Sequence, residues 1–131
     1  MTESMPALIT CLSLVMYIAF ALNVGRARGK YKIAAPATTG HPQFERIFRV
    51  QQNTLEHLAI FLPSLWLFTS YVSVVWASVI GAVWIAARIW YGIEYAREGG
   101  NRGPGFGLSF AAVAILLVGA IVGIIAAMAR S

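Results

Sequence analysis

Cysteine is almost missing from this chain. Cys11 is alone and sits inside an apolar run, so an intrachain disulfide is excluded and the redox compartment stays open. Charge is scarce too: Asp, Glu, Lys and Arg make up 11% of the 131 residues, against 59% hydrophobic residues and a mean hydropathy of +0.72. That balance excludes an ordinary water-soluble domain, because a core of this size cannot hide so much apolar surface. Acids are scarcer than bases, five against ten, for a formal net charge of +5. In a lipid setting such an excess speaks of orientation and of anionic partners. Nucleic acid is not expected, since only the pI of about 9.9 points that way. Internal repeats, low-complexity segments and the alternation of a membrane barrel are all missing. The opening "MTES" has no basic stretch and no cleavage site stands out, so the first apolar run is expected to be a retained span rather than a signal peptide.

What is present is length of apolar chain. Residues 6–25 carry no charge and suffice to cross about 30 Å of hydrocarbon. Further spans are expected over about 44–70, 72–96 and 106–129. The second is polar in its first half, and the third turns polar and aromatic from Arg88. A spanning chain must satisfy its backbone internally, so the expectation is an all-α integral membrane protein, one four-helix transmembrane bundle over residues 1–131. "RARGKYKIAAPATTGHP" and "REGGNRGPG" are basic connections, and a tight uncharged turn near Ser70 separates spans two and three. The positive-inside rule places the two basic loops in the cytoplasm, at a bacterial inner membrane or an endoplasmic reticulum. Gly119 and Gly123 form a GxxxG, read as a close helix contact.

The polar residues converge on one depth. Arg49, Asn53 and Glu56 follow i, i+4, i+7 and share a helix face over roughly 10 Å. Arg46 and His57 flank that face. Arg88, Tyr91 and Tyr95 follow i, i+3, i+7 on the third span, while Arg28, Lys30, Lys32 and Arg102 are expected in loops at the same level. Each residue has a simpler reading beside the functional one. Arg46, Arg88 and Arg97 near span ends would snorkel to headgroups, Tyr91 and Tyr95 would form an aromatic belt, and His57 would pack as a lone histidine. Glu56 lies deep enough to require a partner, and Arg49 and Asn53 are the nearest candidates. An intramembrane carboxylate facing an arginine and an amide also suits a zwitterion, the acid taking an ammonium and the arginine a carboxylate. A transporter would hold its charge at the midplane rather than at one interface. No metal is expected, because His41, His57, Glu45 and Glu56 lack a spacing that closes a tetrahedron.

"FERIFRVQQNTLEH", "TTGHPQFER", "ARIWYGIEYAR" and the arginine of "GGNRGPG" occur in that order. Together they resemble the MAPEG family, the membrane-associated proteins in eicosanoid and glutathione metabolism. The likeness is strongest to the branch of microsomal glutathione transferase two and leukotriene C synthase, and it covers essentially the whole chain. It implies a homotrimer with glutathione as co-substrate in the cleft between neighbouring subunits. By position it assigns Arg49, Asn53, Glu56, Tyr91 and Tyr95 to glutathione, with His57 where the enzymes have tyrosine. Arg28 and Gln51 match contacts from the neighbouring subunit, and Arg102 matches the arginine that stabilises the thiolate. Gly29 replaces a second arginine of leukotriene C synthase, and Trp90 a polar position.

The chemistry agrees with that assignment. A free thiol near pKa 8.5 is mostly protonated at neutral pH, and a fixed cation beside it raises the nucleophilic thiolate fraction. A guanidinium cannot act as a base, so the role of Arg102 would be electrostatic. The second substrate would be a lipophilic electrophile from the bilayer lipid, conjugated to the sulfur, with lipid hydroperoxide reduction as a second activity. The alternative within the family is a non-catalytic lipid- or glutathione-binding scaffold, which has no need of Arg102.

Overall fold

A computed structural model of the chain describes residues 2–97, 100, 101 and 103–131. After a short 3-10 turn at Thr2–Ser4 come four helices: α1 (Met5–Tyr31), α2 (Pro42–Tyr71), α3 (Val74–Ala96) and α4 (Gly103–Arg130). The described residues contain no strand. Each apolar run coincides with a helix, but α1 outlasts its run. Arg28 and Lys30, expected in a loop, lie on its last turns, where cations suit the negative end of the helix dipole. The helix stops at Lys32, which takes a left-handed φ of 56° and donates its N–H to the Arg28 carbonyl.

Local chemistry sets the other ends. His41 is extended and its side chain accepts from the Gln43 N–H at 3.1 Å, with Pro42 at the first helical position of α2. Ser73 Oγ accepts from the Trp76 N–H at 3.1 Å and starts α3 after a two-residue turn. Asn101 Oδ1 accepts from the Gly103 N–H at 2.9 Å at the start of α4. The last carbonyls of α3 are satisfied from α2. Arg46 donates to Tyr95 O at 2.7 Å and to Gly100 O at 2.6 Å, and Gln43 Nε2 donates to Ala96 O.

α2 and α3 form the central pair. α1 packs on one side of it and α4 on the other, without touching each other among the described residues. Phe61 and Trp84, both fully buried, stack at 3.9 Å between ring centroids and 10° between planes, with Leu65 and Leu116 in the same core. A smaller cluster at the basic end joins Val24, Ala27, Ile33, Phe44 and Ile47. The outward faces are apolar as well: Leu22 and Met128 are each 70% exposed. With lipid as the competing environment, helices are held by close packing rather than by hydrophobic expulsion. The GxxxG serves that packing within the chain. A Cβ at Gly119 would stand 2.5 Å from the Phe68 ring, and one at Gly123 2.8 Å from the Tyr71 carbonyl oxygen.

α1 (with its leading turn), α3 and α4 are long and apolar enough to cross a membrane. α2 misses that standard by composition, not by length, because Glu45, Arg46, Arg49 and Glu56 crowd its first half.

Candidate functional site

The polar half of α2 has two faces. Val50, Thr54 and Leu58 point into the bundle. Arg49, Gln52, Asn53 and Glu56 turn the other way and, with Tyr91 and Tyr95 of α3, line an open groove of about 200 Å³. Arg49 and Glu56 are exposed at its two ends, Asn53 and Tyr95 are half-buried, and Tyr91 is fully buried beneath it. Five of the residues that the sequence singles out therefore meet in one place.

Glu56 departs from expectation. Among the described residues the one ion pair joins Arg97 to Glu94, at 2.7 Å, so Glu56 and Arg49 are not paired with each other. The expected partnership is absent because the two residues leave α2 seven positions, about 10 Å, apart along the groove. Among the described residues the groove thus presents an unpaired carboxylate and an unpaired guanidinium roughly two turns of helix apart.

Arg88 anchors the floor. It is fully buried, which corrects the snorkelling reading for this residue. Nη2 donates to Asn53 Oδ1 at 2.8 Å and to Thr54 Oγ1 at 3.0 Å, and Nη1 donates to Ser109 Oγ at 3.2 Å. Its guanidinium lies 4.2 Å from the Tyr91 ring centroid. One cation thus ties α2, α3 and α4 together and fixes two groove residues, Asn53 and Tyr91. Its Nε has no acceptor among the described residues. Arg46 does not snorkel either, being spent on the end of α3 and stacked 4.7 Å from the Tyr95 centroid. The belt reading fails for Tyr91, whose ring lies between those of Tyr95 and Phe106, at 5.6 Å and 6.1 Å.

Three expected site residues lie elsewhere. His57 is buried on the α4 side, edge-on to Phe106 at 5.6 Å and Phe110 at 6.4 Å. Gln51 faces α1 and donates to the Tyr17 hydroxyl at 2.9 Å. Arg28 donates to Ala37 O at 2.7 Å and covers the Phe44 ring at 5.1 Å, pinning the first loop. Arg102 lies outside the described residues. Gln52 and the buried set of Arg88, Thr54 and Ser109 were not singled out as site residues. Gln52 had a signal, since it follows Arg49 by three and precedes Glu56 by four. Among the described residues no three of His, Cys, Asp and Glu come together as a metal site.

A model of the MAPEG family matches residues 6–122. The chain belongs to the MAPEG family. An uncharacterized protein of Synechocystis is 49% identical over 120 residues, 92% of this chain and 88% of that protein. Human microsomal glutathione S-transferase 2 is 43% identical over 116 residues, 88% of this chain and 79% of the human one. Leukotriene C4 synthase of Cavia porcellus is 35% identical over 120 residues, covering 92% and 80%. MAPEG membership and three membrane-length apolar helices make this an integral membrane protein. The MAPEG match takes in every groove residue, and also Arg28, Gln51, His57 and Arg102.

Proposed function

We propose that this MAPEG protein is a membrane-bound glutathione transferase: it activates glutathione as the thiolate and conjugates it to lipophilic electrophiles. The observation that carries the reading is the groove, with Arg49 at one end, Glu56 at the other and neither neutralised by the other. An extended tripeptide is roughly 10 Å long, close to the separation of those two residues along α2. Glutathione offers a carboxylate to Arg49, an ammonium to Glu56 and peptide groups to Asn53 and Tyr95. Similarity to glutathione S-transferase 2 and leukotriene C4 synthase supports the same ligand. In this reading four helices span the bilayer as one domain, with the groove at the cytosolic face.

The proposed step is simple in its balance. Arg102 holds the sulfur as thiolate and water takes the proton. The sulfur lone pair forms a C–S bond with the electrophilic carbon, and the leaving group departs with the electron pair of the bond that breaks. Reduction of a lipid hydroperoxide is proposed as a second activity: the thiolate attacks the terminal peroxide oxygen, the O–O bond breaks to release the lipid alkoxide, which takes a proton to become the alcohol, and the thiol of a second glutathione displaces the sulfenic oxygen as water to give the disulfide. His57 is proposed to act by holding the start of α4 against α2 beside Glu56. A homotrimer is proposed in which each neighbour lends Arg28 and Gln51. Both point away from this chain's own groove, which supports their serving another, and a particle mass of one chain would remove them from the site.

The test is an ultraviolet difference titration of detergent-solubilised protein with glutathione at neutral pH. Saturable thiolate absorbance is expected. In Arg102→Ala glutathione should still bind while its thiol pKa returns toward about 8.5. Binding without thiolate in the unsubstituted protein would favour the scaffold, and no binding at all would sink the glutathione reading.

A further inference from the structure

A second concavity lies on the other side of α2, at the basic end of the bundle. There α1, α2 and α3 enclose a cleft of about 250 Å³ with Arg26, Lys30 and Arg97 around it and Asn23 and Gln43 within. No acid lines it among the described residues. Arg97 is partly neutralised by Glu94 at 2.7 Å. Arg26 is held by Asn23, its Nη2 donating to Oδ1 at 2.7 Å, and Lys30 lies 5.3 Å from the Tyr31 ring centroid. Both cations keep their charge uncompensated.

The cleft does not end in polar ground. Through Asn23, Ile47 and Ala96, which line both, it continues into a trough of about 160 Å³ bounded by Phe20, Val50, Gly92 and Ile93. The trough is almost wholly apolar and runs toward the middle of the helices. From Lys30 to Phe20 the path along α1 covers about 15 Å. A soluble phosphate would use only the basic end, and an uncharged lipid only the trough. The matching shape is an amphiphile with an anionic head at the interface and a chain pointing inward. The trough uses the α3 face of Gly92, Ile93 and Ala96, and the glutathione groove uses that of Tyr91 and Tyr95, so the two sites are separate.

We propose that this cleft and trough bind one anionic phospholipid, its phosphate on Arg26 and Lys30 and an acyl chain in the trough along Phe20 and Ile93. Gly92 lets the Phe20 ring close onto α3 as one wall of the trough. A Cβ there would stand 2.7 Å from Phe20 Cζ and 3.3 Å from Val50 Cγ1.

The experiment is native mass spectrometry of the full chain in neutral detergent with equal phosphatidylglycerol and phosphatidylcholine. Selective retention of one phosphatidylglycerol per chain is expected. Each cation near an anionic group contributes roughly a fivefold change in affinity, so Arg26→Gln with Lys30→Gln should lower retention about 25-fold. These side chains are exposed and lie outside the groove, so the glutathione titration should be unchanged and reports an intact fold. Gly92→Leu, whose side chain must push the Phe20 ring off α3 and into the trough, should lower retention with both cations in place. Equal retention of the two lipids, or unchanged retention in the double variant, would overturn the proposal. So would glycerol phosphate competing as well as the lipid, which marks a free-phosphate site, or a double variant that alters particle mass, which marks a subunit contact.

Discussion

At the scale of single residues, the same side-chain types do unlike things according to where they leave the helix. Glu56 points into the groove without a partner, so its removal should touch ligand and not fold. Glu56→Gln is expected to weaken glutathione binding about tenfold or more, the value of a charge-assisted hydrogen bond, with an unchanged melting temperature. Calorimetry beside thermal denaturation checks both halves, and a large loss of stability would return Glu56 to a structural role. Arg88 is the converse. Arg88→Met removes three donated hydrogen bonds and leaves Thr54 and Ser109 buried beside an apolar chain. A stability loss of at least about 3 kcal/mol is expected from thermal or denaturant unfolding in detergent. Glutathione affinity should fall as well, because Asn53 loses its anchor. A variant as stable as the parent would show that the buried cation is tolerated rather than needed.

At the scale of elements, the helices were largely legible. Uncharged runs mark α1 and α4, and the polar-then-apolar run marks α2. Two boundaries were not. The end of α1 hides in Arg26 to Tyr31, because hydropathy falls there while helix formation continues to Lys32. The start of α4 hides in "GPG", whose residues read as a loop although Gly103 already opens the helix. The face of Arg49, Asn53 and Glu56 could be read from spacing alone, since seven residues make nearly two turns. The inward turn of Arg88 could not. Near a span end an arginine snorkels or folds back according to its acceptors, and here these lie 34 and 21 residues away in sequence, on two other helices. His57 and Gln51 share this limit: both sit next to groove positions, yet one helical step rotates them to α4 and α1. The α2–α4 contact is also an element-scale property. Gly119→Leu should drive a side chain into Phe68 and cost about 1–3 kcal/mol by overpacking, measured by unfolding. A neutral result would show that α4 can shift away at no cost.

At the scale of the whole molecule, the most polar helix is one of the central pair. α2 touches α1, α3 and α4, and carries most of the groove. Its neighbours cover the apolar face of α2, while Arg49 and Glu56 stay exposed in the groove at one end of the bundle, which is how a chain so poor in charge can keep so much of it on one element. Arg88 extends that logic from the finished bundle to its biogenesis. A translocon given α3 alone meets an unpaired cation past the middle of the helix, whose cost is at most that of a helix centre, about 2.5–3.5 kcal/mol. Given α2 and α3 together, across the two-residue turn at Val72 and Ser73, it meets a cation whose acceptors Asn53 and Thr54 are already at hand. The isolated α3 segment is expected to insert poorly in a translocon assay, and to be rescued either by Arg88→Leu or by the preceding α2. Equal insertion of all three would mean that the bilayer accepts the charge unaided. Otherwise the pair enters as one hairpin, and Ser109 on α4, made after both, closes the cage around the guanidinium.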